Sequence, residues 1–299
     1  MVNALTFPAE GDTLSLAYKY CERLAREHYE NFPVASLLLP ASMRPHIAAI
    51  YAFARRADDF ADEPGPDSAE RLRLLDGWGT RLEADATVPD ANRASAGDDF
   101  IFFALQHTIR THALPRALFH DLLSAFRQDV VTTRYATWED VLDYCRRSAN
   151  PIGRLVLRIA GYRDESLARS SDALCTALQL TNFWQDFGRD WRAGRLYAPR
   201  TEQAACDARE ADLEAGRMGA GWDRVLARAV ALTRDRFAEG RGVCNGVSGR
   251  LRLELRVTWL GGARILERVD RMRDQLLTRR PALARRDVPS LLWQAARWT

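Results

Sequence analysis

The stretch Ala48-Ala-Ile-Tyr-Ala-Phe-Ala-Arg-Arg-Ala-Asp-Asp-Phe-Ala-Asp62 is apolar until its end, where Asp58, Asp59 and Asp62 crowd together. At helical spacing Tyr51, Arg55, Asp58, Asp59 and Asp62 share one face. Like charges so placed destabilise a helix by about 0.2–0.5 kcal/mol per pair, and the helix dipole also disfavours anions near a C-terminus. Something positive must compensate. A second stretch, Ala173-Leu-Cys-Thr-Ala-Leu-Gln-Leu-Thr-Asn-Phe-Trp-Gln-Asp-Phe-Gly-Arg-Asp190, repeats the arrangement, with Asn182, Asp186 and Asp190 four apart and Gln179 on nearly the same face.

Two readings are open on spacing alone. Each acidic set could be an ordinary solvated helix face. Alternatively, the carboxylates line a cavity or hold cations, because an isolated charge cannot be carried into an apolar interior. Both sets are flanked by aromatics, Tyr51, Phe53 and Phe60 in one and Phe183, Trp184 and Trp191 in the other, which is unusual for a merely wet face. Hard oxygen donors in Asp-x-x-x-Asp sets suit Mg²⁺, which keeps several waters and bridges to substrate phosphates instead of filling an all-protein cage.

The elements that carry these residues are helices. Apolar residues recur at steps of three and four through most of the chain, with hardly any alternating β-branched runs, which predicts an all-α fold. Helices are expected over roughly 13–30, 43–62, 67–84, 99–112, 115–130, 137–161, 165–191, 221–245, 249–276 and 288–297. Residues 85–98, with Pro89, Asn92, Ser95 and Gly97, and 198–220, with Pro199, Gly216 and Gly219, carry breakers and little periodicity and read as loops. Neither a short repeat nor a compositional shift divides the chain. A single domain over 1–299 is expected, with a core of about 13–276 and a basic C-terminal segment, 277–299.

Composition excludes several classes. The 43 basic and 40 acidic side chains leave a net charge of +3, far from the excess of a nucleic-acid binder. Five cysteines, Cys21, Cys145, Cys175, Cys206 and Cys244, lack any CxxC or metal-finger spacing and point to a reducing compartment. With no basic start leading into an apolar run and no apolar stretch of about eighteen residues, a cytoplasmic location is expected.

Taken together, Arg55-Arg-Ala-Asp-Asp-Phe-Ala-Asp-Glu63 and Gln179-Leu-Thr-Asn-Phe-Trp-Gln-Asp-Phe-Gly-Arg-Asp190 resemble the two aspartate-rich motifs of the squalene and phytoene synthase family. Asn31-Phe-Pro-Val-Ala-Ser-Leu-Leu-Leu-Pro40, Tyr144-Cys-Arg-Arg-Ser-Ala-Asn-Pro-Ile-Gly153 and Gly194-Arg-Leu-Tyr-Ala-Pro199 fall in the family's order, so the likeness covers almost the whole chain. It implies an isoprenoid-synthase type helical bundle around a central cavity whose mouth carries the two motifs. Asp58, Asp62, Asp186 and Asp190 then bind Mg²⁺. Gln179 and Asn182 are similar to the polar residues beside the second motif, and Tyr51 and Arg55 to diphosphate-side residues before the first. Tyr144 matches a tyrosine near the leaving diphosphate; Arg195 and Tyr197 match a basic and an aromatic residue that help close the site. His28, Asn31 and Phe32 are further candidates for substrate contact. His46 could be taken for a base, but a lone helical histidine is usually structural.

Within the family, the segments around Asn31 and Asn150 resemble bacterial hydroxysqualene synthases of hopanoid pathways. That branch implies presqualene diphosphate as substrate, water as acceptor and no hydride donor. Two departures stand out: Tyr29, Asn31 and Phe32 replace a serine-rich segment, and Gln185 stands where many members place arginine before the second motif. Other head-to-head syntheses, giving presqualene diphosphate, phytoene or dehydrosqualene, are the nearest alternatives. A non-catalytic assembly factor is another, though such relatives tend to have degraded aspartate motifs. Arg271, Arg273, Arg279, Arg280, Arg285 and Arg286, followed by Leu291, Leu292, Trp293 and Trp298, suit either a helix packed on the body or peripheral docking at the inner membrane face, near neighbouring pathway enzymes.

Overall fold

The structure, a computed structural model, describes residues 10–27, 38–62, 65–89 and 96–298. Among these residues it is all-helical, with no strand and one isolated parallel bridge between Arg134 and Leu196. The helices are α1 (Glu10–Glu27), α2 (Arg44–Asp62), α3 (Ser68–Glu83), α4 (Ala96–His112), α5 (Arg116–Val131), α6 (Trp138–Ser148), α7 (Asn150–Ile159), α8 (Glu165–Gln185), α9 (Phe187–Arg192), α10 (Arg200–Ala205), α11 (Glu210–Glu214), α12 (Ala220–Gly240), α13 (Val243–Gly246), α14 (Gly249–Arg271) and α15 (Val288–Arg297). The chain forms two compact units, one holding α1 to α4 and most of α5, the other holding α6, most of α7, and α8 to α15.

In the first unit α2 packs against α1, α3 and α4. Small residues on its inner face, Ala48, Ala49, Ala52 and Ala57, bring the helices close, and Phe53 fills the middle. Phe53 meets Trp78, Phe102 and Phe119 at ring separations of 5.8, 6.0 and 5.5 Å. The Trp78 indole N–H donates to the Phe53 carbonyl at 3.3 Å, so burial of the indole leaves its polar atom satisfied. This aromatic layer fixes the helix whose far end carries Asp58 and Asp62. At the opposite end of α2, His46 joins a polar cluster in which the Tyr18 hydroxyl lies 3.0 Å from His46 Nδ1, 2.8 Å from His107 Nδ1 and 2.9 Å from Thr108 Oγ1. His46 is thus hydrogen-bonded within the first unit, at the end of α2 away from Asp58 and Asp62, beside His107 and His112.

The second unit is built on α8, which packs against α6, α12, α13 and α14. Its approach to α12 is possible because residue 240 is glycine: a Cβ there would lie 2.6 Å from the Leu174 nitrogen and 2.7 Å from its Cα. Trp184 and Trp222 are fully buried, and the Trp184 indole donates to Thr233 Oγ1 at 2.9 Å. Two predicted helices are divided. The one expected over 137–161 breaks at Ala149 because Pro151 lacks the N–H that would continue the ladder. The one expected over 165–191 opens at Asp186, with φ −94° and ψ 10°. The predicted loop 198–220 contains the short helices α10 and α11. No helix among the described residues is long and apolar enough to cross a membrane.

Each unit holds a titrating group displaced by burial. His46 is pushed down from 6.5 to about 4 by desolvation and by the neighbouring His112 and His107. The folded chain therefore binds fewer protons there than the unfolded chain, and the stability it contributes is lost as pH falls from 6.5 through 4. Glu254 on α14 is raised from 4.5 to about 7 by burial, opposed by a hydrogen bond from Thr258. Its contribution has the opposite sign and is lost as pH rises from 4.5 through 7. Chemical unfolding across this range should show a shallower acid loss in His46→Gln and a steeper one in Glu254→Gln; parallel wild-type and variant profiles would contradict the assignment.

Candidate functional site

The first acidic set lies on the last turns of α2. Asp58 and Asp59 are partly buried and Asp62 is exposed. The positive partner that the crowded carboxylates require is supplied within the helix: Arg55 Nη1 lies 3.1 Å from Asp58 Oδ2, and Nη2 lies 2.7 Å from Asp59 Oδ1. These are i,i+3 and i,i+4 pairs, so the helical register itself places the guanidinium over both carboxylates. Tyr51 sits one turn before Arg55, partly buried. Arg56 turns to the other side, where its guanidinium lies 4.7 Å from the Phe60 ring and its Nε bonds Asp98 at 3.3 Å. Thus Arg55, Asp58 and Asp62 are brought to the C-terminal end of α2, with Tyr51 nearer the middle of the same helix. His28, Asn31 and Phe32 lie outside the described residues.

The second set runs along α8 and α9. Although the helix opens at Asp186, the Asp186 N–H still donates to the Asn182 carbonyl and the Asp190 N–H to the Asp186 carbonyl, both at 2.8 Å. The four-residue register is therefore carried across the opening, and Asn182, Asp186 and Asp190 stay in line with Gln179. Asn182 is exposed, while Gln179, Asp186 and Asp190 are partly buried. Asp186 carries a counter-ion that local sequence does not reveal: Arg280 engages both its carboxylate oxygens, Nη2 reaching Oδ2 at 3.2 Å.

Tyr144 and Tyr197 are brought together in one aromatic cluster. Tyr197 stacks on Phe183 at 3.7 Å with ring planes 5° apart, and Tyr144 lies 6.0 Å from Phe183 and 6.1 Å from Tyr197. Tyr135, which sequence reading did not single out, completes the group at 5.6 Å from Tyr197 and 5.9 Å from Tyr144. The loop carrying Arg195 and Tyr197 is fixed by hydrogen bonds from Arg195 N to Asp190 O at 2.8 Å and from Leu196 N to Thr133 O at 3.0 Å. Arg134 clamps it, donating to the Gly194 carbonyl at 2.6 Å while held by both oxygens of Glu210. An arginine followed by an aromatic before a capping box was the available signal for Arg134 and Tyr135, but nothing local ties them to residues 194–197.

As a donor set, the first unit offers aspartate oxygens on α2, and the second offers them at the junction of α8 and α9 and on α9. Among the described residues no three Asp, Glu, His or Cys side chains are gathered as a metal-binding group. Pairs of carboxylates with room for water and substrate oxygens fit Mg²⁺, which rarely takes an all-protein cage.

The family model for squalene/phytoene synthase matches residues 25–287. The chain is 41% identical over 188 residues to a hydroxysqualene synthase of Zymomonas mobilis, covering 62% of this chain and 59% of that protein. It is 36% identical to a hydroxysqualene synthase of Sinorhizobium fredii, over 85% of this chain and 84% of that one. Among solved structures, squalene synthase HpnC from Alicyclobacillus acidocaldarius superposes with a TM-score of 0.77 at 42% identity, covering 87% of this chain and 95% of that one. A dehydrosqualene synthase in complex with ligand, at 20% identity and a TM-score of 0.80, shares the fold.

Tyr144 tests the aromatic cluster. Tyr144→Ala removes a buried ring from a four-membered group and should cost about 3–5 kcal/mol in chemical unfolding, as such truncations do. Tyr144→Phe keeps the ring and should cost far less; equal losses would mean that the hydroxyl, not the ring, holds the cluster.

Proposed function

Because the chain belongs to the squalene/phytoene synthase family, we propose that it converts presqualene diphosphate and water to hydroxysqualene and diphosphate with Mg²⁺. The observation that carries this reading is the identity, over most of the chain, with relatives named hydroxysqualene synthase, combined with two intact aspartate sets. The chemistry balances without a redox partner. The carbon–oxygen bond to diphosphate breaks with its electron pair leaving on the diphosphate, the cyclopropylcarbinyl cation rearranges, and a water oxygen bonds to carbon and gives up a proton.

Asp58 and Asp62 from one set and Asp186 and Asp190 from the other are the proposed Mg²⁺ ligands. Bound there, Mg²⁺ supplies Lewis-acid stabilisation of the departing diphosphate. Arg55 and Arg195 are the proposed sources of fixed positive charge for diphosphate, and Tyr51, Gln179 and Asn182 the proposed hydrogen-bonding groups, each in its own unit. Tyr144 presents its hydroxyl near the leaving group, and the aromatic faces around Phe183 and Tyr197 suit a carbocation, since ring faces carry negative potential. An apolar surrounding keeps bulk water away, so the cation meets the nucleophile that the protein admits. His28, Asn31 and Phe32 remain proposed substrate contacts, and all of these residues are assigned to one catalytic domain.

A second reading has an observation of its own: the solved relative at 42% identity bears the name squalene synthase, which implies a reduced product. The location is part of the proposal as well. The basic segment 277–299 ends in a helix with Trp293 58% exposed and Arg297 4.7 Å from its ring, a pairing suited to an anionic inner-membrane surface where greasy substrate and neighbouring pathway enzymes would be met.

Incubation with presqualene diphosphate and Mg²⁺ in ¹⁸O-water decides the reaction. Labelled hydroxysqualene is expected, unchanged by NADPH. Squalene formed only with NADPH supports the second reading; phytoene or dehydrosqualene from prenyl diphosphates alone moves the protein to another branch; no consumption of any diphosphate points to a non-catalytic relative.

Asp58→Ala, Asp62→Ala, Asp186→Ala and Asp190→Ala should each lower turnover by about a hundredfold or more, the scale of losing an electrostatic group that acts in the transition state. Their melting temperatures should stay near wild type, because removing one carboxylate relieves like-charge repulsion. Unfolding in place of lost turnover would show these aspartates to be structural.

A further inference from the structure

The segment 276–282 is strapped across the opening between α8 and α9 by contacts to its main chain. Gln185, only 5% exposed, donates from Nε2 to the Pro281 carbonyl at 2.6 Å. Arg192 Nη1 donates to the Leu277 carbonyl at 2.9 Å. Gly188 lets the strap lie directly on α9, since a Cβ there would be 2.4 Å from the Leu277 oxygen and 2.5 Å from the Leu276 oxygen. On the far side Arg268 donates to the Ala282 carbonyl and pairs with Asp287 at 2.7 Å, while Asp287 accepts from the Ala284 N–H at 2.6 Å. The backbone on both sides of Arg280 is thus gripped, and its side chain reaches the two oxygens of Asp186.

We propose that Arg280 is a resident cation on Asp186 that a divalent metal must displace, and that Gln185 is the positioning residue that keeps it there by holding the strap at Pro281. The proposal rests on the reading of Asp186 as a metal ligand. A guanidinium bonded to both oxygens takes the lone pairs that point toward it. A hard divalent ion asks for the same oxygens at about 2.0–2.1 Å, and two cations on one side of a carboxylate repel. Until metal arrives, Arg280 keeps the carboxylate oriented and offsets repulsion along the helix. Because both side chains are partly solvated, at 40% and 20% exposure, the hold is modest and readily exchanged.

The test is titration of the purified chain with Mn²⁺ alone, free metal being read by electron paramagnetic resonance, for wild type, Arg280→Gln, Gln185→Met, the double variant and Asp186→Asn. Arg280→Gln should bind Mn²⁺ about two- to fivefold more tightly, the range expected for losing a partly exposed competing ion pair. Gln185→Met, isosteric but unable to donate, should shift affinity in the same direction, and the double variant should bind no more tightly than Arg280→Gln, as two changes on one path must. A Gln185→Met protein that melts lower with Mn²⁺ affinity unchanged makes Gln185 merely structural and overturns its positioning role. If Gln185→Met does not fold, Arg192→Gln loosens the same strap from an exposed position and should tighten Mn²⁺ binding; no change there likewise overturns the strap's role. Equal or weaker Mn²⁺ binding in Arg280→Gln, with Asp186→Asn clearly impaired, overturns the exchange while leaving Asp186 a metal ligand. Mn²⁺ binding untouched by Asp186→Asn overturns both.

Discussion

Carboxylates set four residues apart on otherwise apolar helices must be given a cation, and the arrangement of both units follows from that need. Two charges about 6 Å apart repel by about 3 kcal/mol at an effective dielectric of 20, several times the penalty on a fully solvated helix surface. The first unit answers with Arg55, which reaches Asp58 and Asp59 from one turn below. In the second unit the answer is remote: Arg280, 94 residues along the chain, reaches Asp186 only because the strap is pinned to α8 and α9. In both arrangements an arginine side chain is held on the carboxylates.

What was legible in the sequence is what depends on near neighbours. The period of three to four gave an all-α fold, and the helix ends at Asp62, Glu83 and His112 fall within a residue of expectation because local breakers set them. The need for a positive group beside Asp58 was also legible, and Arg55 lies within the same helical face. The two divided helices show where periodicity misleads. Apolar spacing continues through Ala149 and Asp186, so the pattern sees one helix, whereas the backbone responds to a missing N–H at Pro151 and, at Asp186, opens where the strap lies against the helix. Short helices inside 198–220 were hidden for a related reason: at five or six residues they are too short to show a period, and tertiary hydrogen bonds hold them.

The candidate site divides along the same line. Its acidic and amide residues share helical faces and could be grouped from sequence. Its aromatic cluster could not, since Tyr135 meets Tyr197 through a parallel bridge between residues 134 and 196 that Arg134 and Glu210 stabilise. Tyr197 followed the family pattern as a residue beside the second motif, and the structure supplies its physical setting, face to face with Phe183. A ring so stacked has little rotational freedom, which suits a wall beside a reactive cation better than a gate that swings. The resemblance implies a role for the residue, and packing narrows the ways in which such a role could be carried out.

The two counter-ions differ in what they couple. Arg55 and its aspartates belong to one helix, so their pairing survives whatever happens elsewhere and depends only on α2 remaining helical. Arg280 and Asp186 are paired only while the C-terminal segment is folded against α9, and that contact in turn depends on a glycine at 188, an amide at 185 and the Arg268–Asp287 pair at the segment's other end. The charge balance at Asp186 is thereby tied to residues that touch no carboxylate of the motif. A substitution in the strap is therefore felt as a change in electrostatics at the second aspartate set, through geometry and not through charge. Helix α15, which buries Leu291 and Ala295 and packs on α14, follows that strap after one short turn, so its packing also bears on where Arg280 is held.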